Sequence, residues 1–352
     1  MVSVERTGAV SIEIACICAG ALLLSAWLTG RVRKSALARG VLDIPNERSS
    51  HQSVMPRGGG LAIVLAFNAG LVALAAFGCQ CGAVLLALAG GGLAVAAIGF
   101  VDDRWSVPPA WRLSVHLAAA IWAVVCLGGL PALTIGNLIV SLSWIGYVLA
   151  VLSIVWTLNL FNFMDGIDGI AASEAVFICA GAGTLSLLHT GAAGSVGTLA
   201  WIFCAACLGF LLWNWPPARI FMGDVGSGYL GFVIAVLAIA ADHDDPAAPW
   251  TWLILGGVFF VDASVTLVRR ALRGERVYEA HRTHAYQWLA RRWGHRRVTV
   301  SVWMVNVLWL WPSAALATRY PGSAIWVLIT AFVPLICLAV AVGSGRAEVR
   351  SV

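Results

Sequence analysis

The sequence predicts an all-α, polytopic membrane protein of about eleven transmembrane helices, and three observations carry that expectation. Of its 352 residues, 60% are hydrophobic and only 11% are charged, against about 25% charged residues in a soluble domain. Apolar runs of roughly 18 to 22 residues recur from end to end, each long enough to cross a hydrocarbon core of about 30 Å as a helix. Lysine and arginine crowd into alternate loops, the pattern that fixes orientation in a bilayer.

In chain order, the expected spans lie near 8–29, 59–78, 83–101, 111–130, 144–162, 170–188, 196–213, 226–241, 250–268, 299–317 and 324–342. The first carries Glu13 and lacks both a basic leader and an A-x-A site, so it reads as a span and not as a cleavable signal. The second follows Gly58-Gly59-Gly60, the third ends on Asp102 and Asp103, and the fifth runs into NLFNFMDGIDGI (159–170). The sixth holds Glu174, nearly two turns beyond Asp168 and a candidate to line a site. The eighth starts just beyond Asp224. The ninth carries Asp262 near one end, where it either serves a site or pairs with Arg269 or Arg270. Most of the nine cysteines fall within spans and read as small apolar side chains. Cys204-x-x-Cys207 lacks the second half of a metal site, and only Cys79 and Cys81 lie in a loop. With no low-complexity tract and no internal repeat, residues 1–352 read as one transmembrane domain.

Eleven spans put the termini on opposite sides. Loops 30–58, 102–110, 163–169, 214–225 and 269–298, the tail after 342 and Arg112 at the membrane edge hold all lysines and arginines except Arg6 and Arg319. The expectation is therefore a cytoplasmic location for these loops and the C-terminus, with the N-terminus outside. The net charge of +5 follows from that topology, and no nucleic-acid recognition motif accompanies it.

The acids occupy the same face. Asp102 and Asp103 close the third span, Asp165 and Asp168 the fifth, and Asp224 precedes the eighth. Asp165 and Asp168 point the same way if their segment is helical. Clustered carboxylates repel unless a cation neutralises them, and hard oxygen donors without converging Cys or His suit Mg²⁺, with Mn²⁺ as a substitute. In GDVGSG the start of the eighth helix offers free N–H groups and a positive dipole end to a phosphate. His281, Arg282 and His284 form a donor cluster suited to a diphosphate. Asp43, Asn46, Arg48, His51 and Arg57 make the first of these loops dense enough in polar groups to take a lipid headgroup. DHDD (242–245) resembles a metal cluster but falls in an outer loop.

Five blocks, DIPNERSSHQSVMPRGGG, DDRWSVPPAWRLSVH, NLFNFMDGIDG, NWPPARIFMGDVGSG and HRTHAYQ, occur in this order over about 43–287. They resemble the polyprenyl-phosphate N-acetylhexosamine-1-phosphate transferases, the superfamily that includes the phospho-N-acetylmuramoyl-pentapeptide translocase. The resemblance implies a fold of ten or eleven spans in the bacterial inner membrane, with a cytoplasmic site. It implies transfer of a sugar 1-phosphate from a UDP-sugar to undecaprenyl phosphate, releasing UMP, and it is compatible with a homodimer. Asp102 and Asp103 match the paired aspartates, one of which activates the lipid phosphate; direct transfer and a covalent intermediate both stay open. Asn162, Asp165 and Asp168 match the NxxDGxDG block near metal and nucleotide. Asn214 and Asp224 match NxPxxxxFxGD, where the asparagine is a substrate-binding candidate and the aspartate the metal-ligand candidate, and His281 and His284 match the loop that contacts the diphosphate. HRTH departs from the run of adjacent histidines in the translocase branch and is more like the branch that starts O-antigen and other surface polysaccharides. The alternatives are the translocase itself and, more distantly, a secondary transporter, which requires midplane charges and symmetry-related broken helices.

Overall fold

The structure, a computed structural model, describes residues 2–45, 53–78, 82–191, 194–275 and 282–347. Apolar segments in lipid must satisfy their backbone internally, and nearly every element is accordingly a helix. The order is α1 (Val2–Arg39), β1 (Leu42–Asp43), β2 (Met55–Pro56), α2 (Gly60–Ala76), α3 (Gly82–Leu86), α4 (Gly92–Trp105) and α5 (Pro109–Leu127). A hairpin, β3 (Ala132–Ile135) and β4 (Leu138–Ser141), leads to α6 (Ser143–Met164), α7 (Ile170–Thr190), α8 (Ser195–Asn214) and α9 (Asp224–Asp242). There follow α10 (Ala248–Leu255), α11 (Gly257–Leu272), α12 (Ala285–Trp293), α13 (His295–Val305), α14 (Trp311–Arg319) and α15 (Ala324–Val342). Single π turns, Ala87–Gly91 and Asn306–Leu310, join α3 to α4 and α13 to α14.

Among the described residues, nine helical stretches are long and apolar enough to cross a membrane. The α10–α11 pair makes a tenth and the 17-residue α2 an eleventh, so the protein is an all-α, multi-pass membrane protein as the sequence predicts. Two details differ from the sequence expectation. The ninth span is not straight: α10 and α11 meet at a 77° bend at Gly256. The stretch from Asp165 to Gly169 is not helical either, because α6 ends at Met164 and α7 starts at Ile170.

The helices α7, α8 and α9 form the buried centre, and the others present apolar side chains outward. Close approach to α9 depends on small residues. A Cβ on Gly99 of α4 would lie 2.6 Å from the Asp224 carbonyl carbon and 2.7 Å from the Val225 nitrogen. Gly99→Val therefore forces α4 away from α9. We expect a loss of about 1–3 kcal/mol, read as a lower thermal midpoint in detergent, whereas Gly82→Val, where a Cβ meets open space, leaves the midpoint unchanged.

Candidate active site

The chain returns to one end of the bundle at Arg57, at Asp102–Arg112, at Asn162–Gly169 and at Asp224, and the first and last of these segments are tied by backbone before any side chain acts. Phe221 N–H donates to the Pro56 carbonyl, Gly59 N–H to Phe221 and Gly60 N–H to Met222, at 2.8–2.9 Å. That short ladder delivers Arg57 to Asp224. Its guanidinium spans two carboxylates, with Nε 2.8 Å from Asp103 Oδ1 and Nη2 2.9 Å from Asp224 Oδ1. Arg112, at the start of α5, repeats the arrangement: its Nη1 lies 2.6 Å from Asp102 Oδ2 and 3.2 Å from Asp224 Oδ2. Each oxygen of Asp224 thus faces its own arginine. Asn162 donates to Asp224 Oδ1 at 3.1 Å and to Ser227 Oγ at 3.0 Å. Burial alone would lower the Arg57 pKa, but the facing Asp103 and Asp224 outweigh it and hold the guanidinium above its ordinary value.

The two paired aspartates do different work. Asp103 accepts the N–H groups of Asp224 at 2.8 Å and Val225 at 3.2 Å, so its carboxylate caps α9. The amides that the sequence offered to a phosphate are taken. Gly223 makes room: its φ is +77°, and any Cβ there would strike the Asp103 carboxylate. The Asp103 side chain is fully buried, whereas that of Asp224 stays 21% exposed, so a ligand reaches Asp224 and not Asp103. Asp102 is also engaged on both oxygens, by Val107 N–H at 2.5 Å and by Arg112.

Asp165 and Asp168 do not share a direction, because their segment is a turn. Asp168 accepts Ala218 N–H at 3.0 Å and lies 3.1 Å from His295 Nδ1, which pins the turn to the 215–219 loop and to α13. Asp165, just past the end of α6, accepts no hydrogen bond and makes no ion pair among the described residues. Burial, and then Asp224, push its carboxyl well above the ordinary range. It is the one open carboxylate of the group.

Asn214 is placed as a brace. It is buried, its Oδ1 accepts Gly169 N–H at 3.0 Å and its Nδ2 donates to the Ile220 carbonyl at 2.9 Å, so it faces loop backbone where the sequence expectation had substrate. His284 is buried too, stacked on Tyr286 and 3.7 Å from Asp262. Asp262 supplies the missing explanation for the ninth span: it accepts Ala285 N–H at 2.8 Å and Tyr286 N–H at 3.0 Å, along with the Ser344 hydroxyl. It therefore anchors the start of α12 and does not pair with Arg269 or Arg270. Tyr286 donates to the Phe163 carbonyl at 3.0 Å, which seats α12 over the Asp165 turn. Arg282 is half-buried beside this anchor, and Asp43 lies in β1, close enough to act on the Arg57 charge. His281, Asn46, Arg48 and His51 fall outside the described residues.

Among the described residues no three His, Cys, Asp or Glu side chains form a cage for a metal. Mg²⁺ does not require one, since it prefers one or two carboxylates plus substrate phosphates. Open Asp165 and exposed Asp224 fit that description. The residues that sequence reading undervalued are Arg57 and Arg112, which it placed in a polar loop and at a membrane edge. Spacing carried no signal for them: no acid lies between Arg57 and Asp102, and Arg104 stands closer than Arg112 to the Asp102–Asp103 pair.

Fold and site together define a multi-pass membrane protein with an acid–arginine centre at one end of its bundle. Residues 85–242, from α3 to the end of α9, match the profile "Glycosyl transferase family 4". It is 29% identical over 291 residues to the Bacillus subtilis (strain 168) protein named "Probable undecaprenyl-phosphate N-acetylglucosaminyl 1-phosphate transferase", covering 80% of this chain and 78% of the relative. It is 28% identical to a decaprenyl-phosphate N-acetylglucosaminephosphotransferase of Mycobacterium tuberculosis, over 83% of this chain and 80% of the relative. A phospho-N-acetylmuramoyl-pentapeptide-transferase of Gloeothece citriformis is 35% identical, but over 49% of this chain and 48% of the relative.

The division between capping and open acids has a direct test. Asp103→Ala leaves two helix N–H groups uncapped, at a cost of about 0.5–2 kcal/mol, and frees Arg57. The ionised form of Asp165 costs stability as pH rises through the carboxylate range, because its folded pKa is raised. Asp165→Asn removes that cost. In thermal melts at neutral pH, Asp103→Ala melts lower than wild type, and Asp165→Asn melts at or above it.

Proposed function

We propose that the protein transfers an N-acetylhexosamine 1-phosphate, or its 6-deoxy counterpart, from a UDP-sugar to undecaprenyl phosphate, giving the lipid diphosphate sugar and UMP. The observation that carries this reading is the convergence of Arg57, Arg112, Asn162, Asp165 and Asp224 at one end of a bundle whose helices are long enough to span a membrane. Phosphoryl transfer between a lipid and a nucleotide needs positioning and neutralised charge at that boundary more than covalent help from the protein. The match of residues 85–242 to the family profile and relatives of similar length, named for polyprenyl-phosphate N-acetylglucosamine-1-phosphate transfer, support it. The excess of lysine and arginine in the loops on the site's side supports a cytoplasmic site, and in this reading the membrane is the bacterial inner membrane.

In this reading a lipid phosphate oxygen attacks the sugar-linked phosphorus, the P–O bond to the UMP phosphate breaks, and UMP departs with the electron pair. The attacking phosphate is already largely dianionic near pH 7, so no strong base is needed. Asp102, engaged on both oxygens, orients Arg112, and Arg112 with Arg57 faces the anionic oxygens of the diphosphate. Asp165 and Asp224 would hold Mg²⁺, which supplies neutralisation of charge on the diphosphate. Asp103 and Asp168 keep α9 and the turn in place. The HRTH loop and the half-length match to the pentapeptide transferase favour a simple sugar donor in surface-polysaccharide synthesis over the peptidoglycan precursor.

Purified protein with undecaprenyl phosphate, Mg²⁺ and a panel of UDP-sugars should release UMP from one N-acetylhexosamine donor, dependent on lipid and metal. Asp165→Asn, folded by its melt, should lose about 10²–10³-fold in rate. Release only from the muramoyl-pentapeptide nucleotide would instead assign the translocase reaction. No release from any donor would refute the transferase reading and return attention to transport.

A further inference from the structure

Glu174 takes no part in the site, yet it is fully buried in α7 and faces a fully buried Asn306 at the start of the π turn after α13. The Asn306 Nδ2 donates to Glu174 Oε2 at 2.6 Å. The two oxygens left over, Glu174 Oε1 and Asn306 Oδ1, are buried with no partner among the described residues. If the carboxyl were ionised, both would be acceptors without a donor, in an interior where unpaired polar atoms are costly. One proton satisfies both: a carboxylic acid donates its O–H to the amide oxygen while its other oxygen accepts the amide N–H.

The location of this pair gives it a task. Thr299 and Asn306 are seven residues apart, and His295 lies four before Thr299, so the three share one stripe that runs along α13 to the start of the π turn. The Thr299 hydroxyl donates to the Asp168 carbonyl at 2.9 Å, and His295 lies against the Asp168 carboxylate. The stripe grips the chain at Asp168, ahead of α7, and again six residues later at Glu174. Between those two points α7 starts, and immediately before them is the turn that carries Asp165.

We infer that Glu174 is held as a neutral carboxylic acid that closes a two-hydrogen-bond ring with the Asn306 carboxamide, and that this ring positions the Asp165–Gly169 turn. Glu174 is thus a positioning residue, acting through α7.

The test uses the full-length protein in detergent and two variants, Glu174→Gln and Glu174→Leu. Infrared spectra should show a protonated-carboxyl C=O band in wild type, shifted in D₂O, that is missing from Glu174→Gln. Gln rebuilds the ring with its own N–H, so Glu174→Gln should keep the wild-type melting midpoint and stay within about twofold of its kcat. Glu174→Leu, similar in volume but unable to pair, should lose about tenfold or more in kcat, as misplaced reacting groups do. Absence of a Glu174-dependent carboxyl band overturns the inference, and so does a Glu174→Gln variant impaired as much as Glu174→Leu. The kcat comparison rests on the transferase reading, whereas the band and the melts do not. If wild type releases no UMP, that reading fails by itself, and the band with the melts still decides the ring.

Discussion

Everything at the site end of the bundle depends on the carboxylate of Asp224 being shared between two guanidinium groups. Asp102, Asp103, Asp165 and Asp224 together would bring four like charges to one membrane face, and like charges in a poorly solvated place raise one another's cost of ionisation. Arg57 and Arg112 relieve that repulsion, each joining Asp224 to a different member of the Asp102–Asp103 pair. Because Arg57 follows β2, ahead of α2, and Arg112 belongs to α5, the ion pairs also lock α4, α5 and α9 to the first loop. The pairs are partly exposed, which leaves them open to exchange with anionic oxygens from a substrate. In the proposed reaction, structural neutralisation and substrate binding would draw on the same two side chains.

A second pattern runs through the acids. Asp103, Asp168 and Asp262 each spend their carboxylate on backbone N–H groups of another segment: Asp103 on the start of α9, Asp168 on Ala218, Asp262 on the start of α12. Near a membrane, loops are short and helix ends must find partners without bulk water, and a buried carboxylate supplies two acceptors at once. The acid-rich motifs therefore encode scaffolding as much as chemistry. Asp165, which scaffolds nothing, stands out as the group kept available for a ligand.

The helices, their number and the gathering of acids at one end were legible in the sequence, because apolar length and alternating loop charge are properties of composition along the chain. The placing of Asp224 and Asp165 at that end was legible for the same reason: carboxylates are expensive where they sit. The division of labour was not. Nothing in the spacing of Asp165 and Asp168 tells a turn from a helix, and Gly166 and Gly169 decide it through contacts with Tyr286 and Asn214 that lie far away in the chain. The burial of Asn214 and His284, the capping role of Asp103 and Asp262, and the bend at Gly256 are all tertiary facts of this kind. Arg57 and Arg112 were visible but indistinguishable from the other arginines that set topology.

The most direct test of the shared-carboxylate centre is a structure of the protein with UDP-N-acetylglucosamine and Mn²⁺ bound. The diphosphate should lie within hydrogen-bonding reach of Arg57 and Arg112, with the metal on Asp165 and Asp224 and Asp103 still capping α9. A nucleotide bound elsewhere, with both arginines unmoved on Asp224, would contradict it.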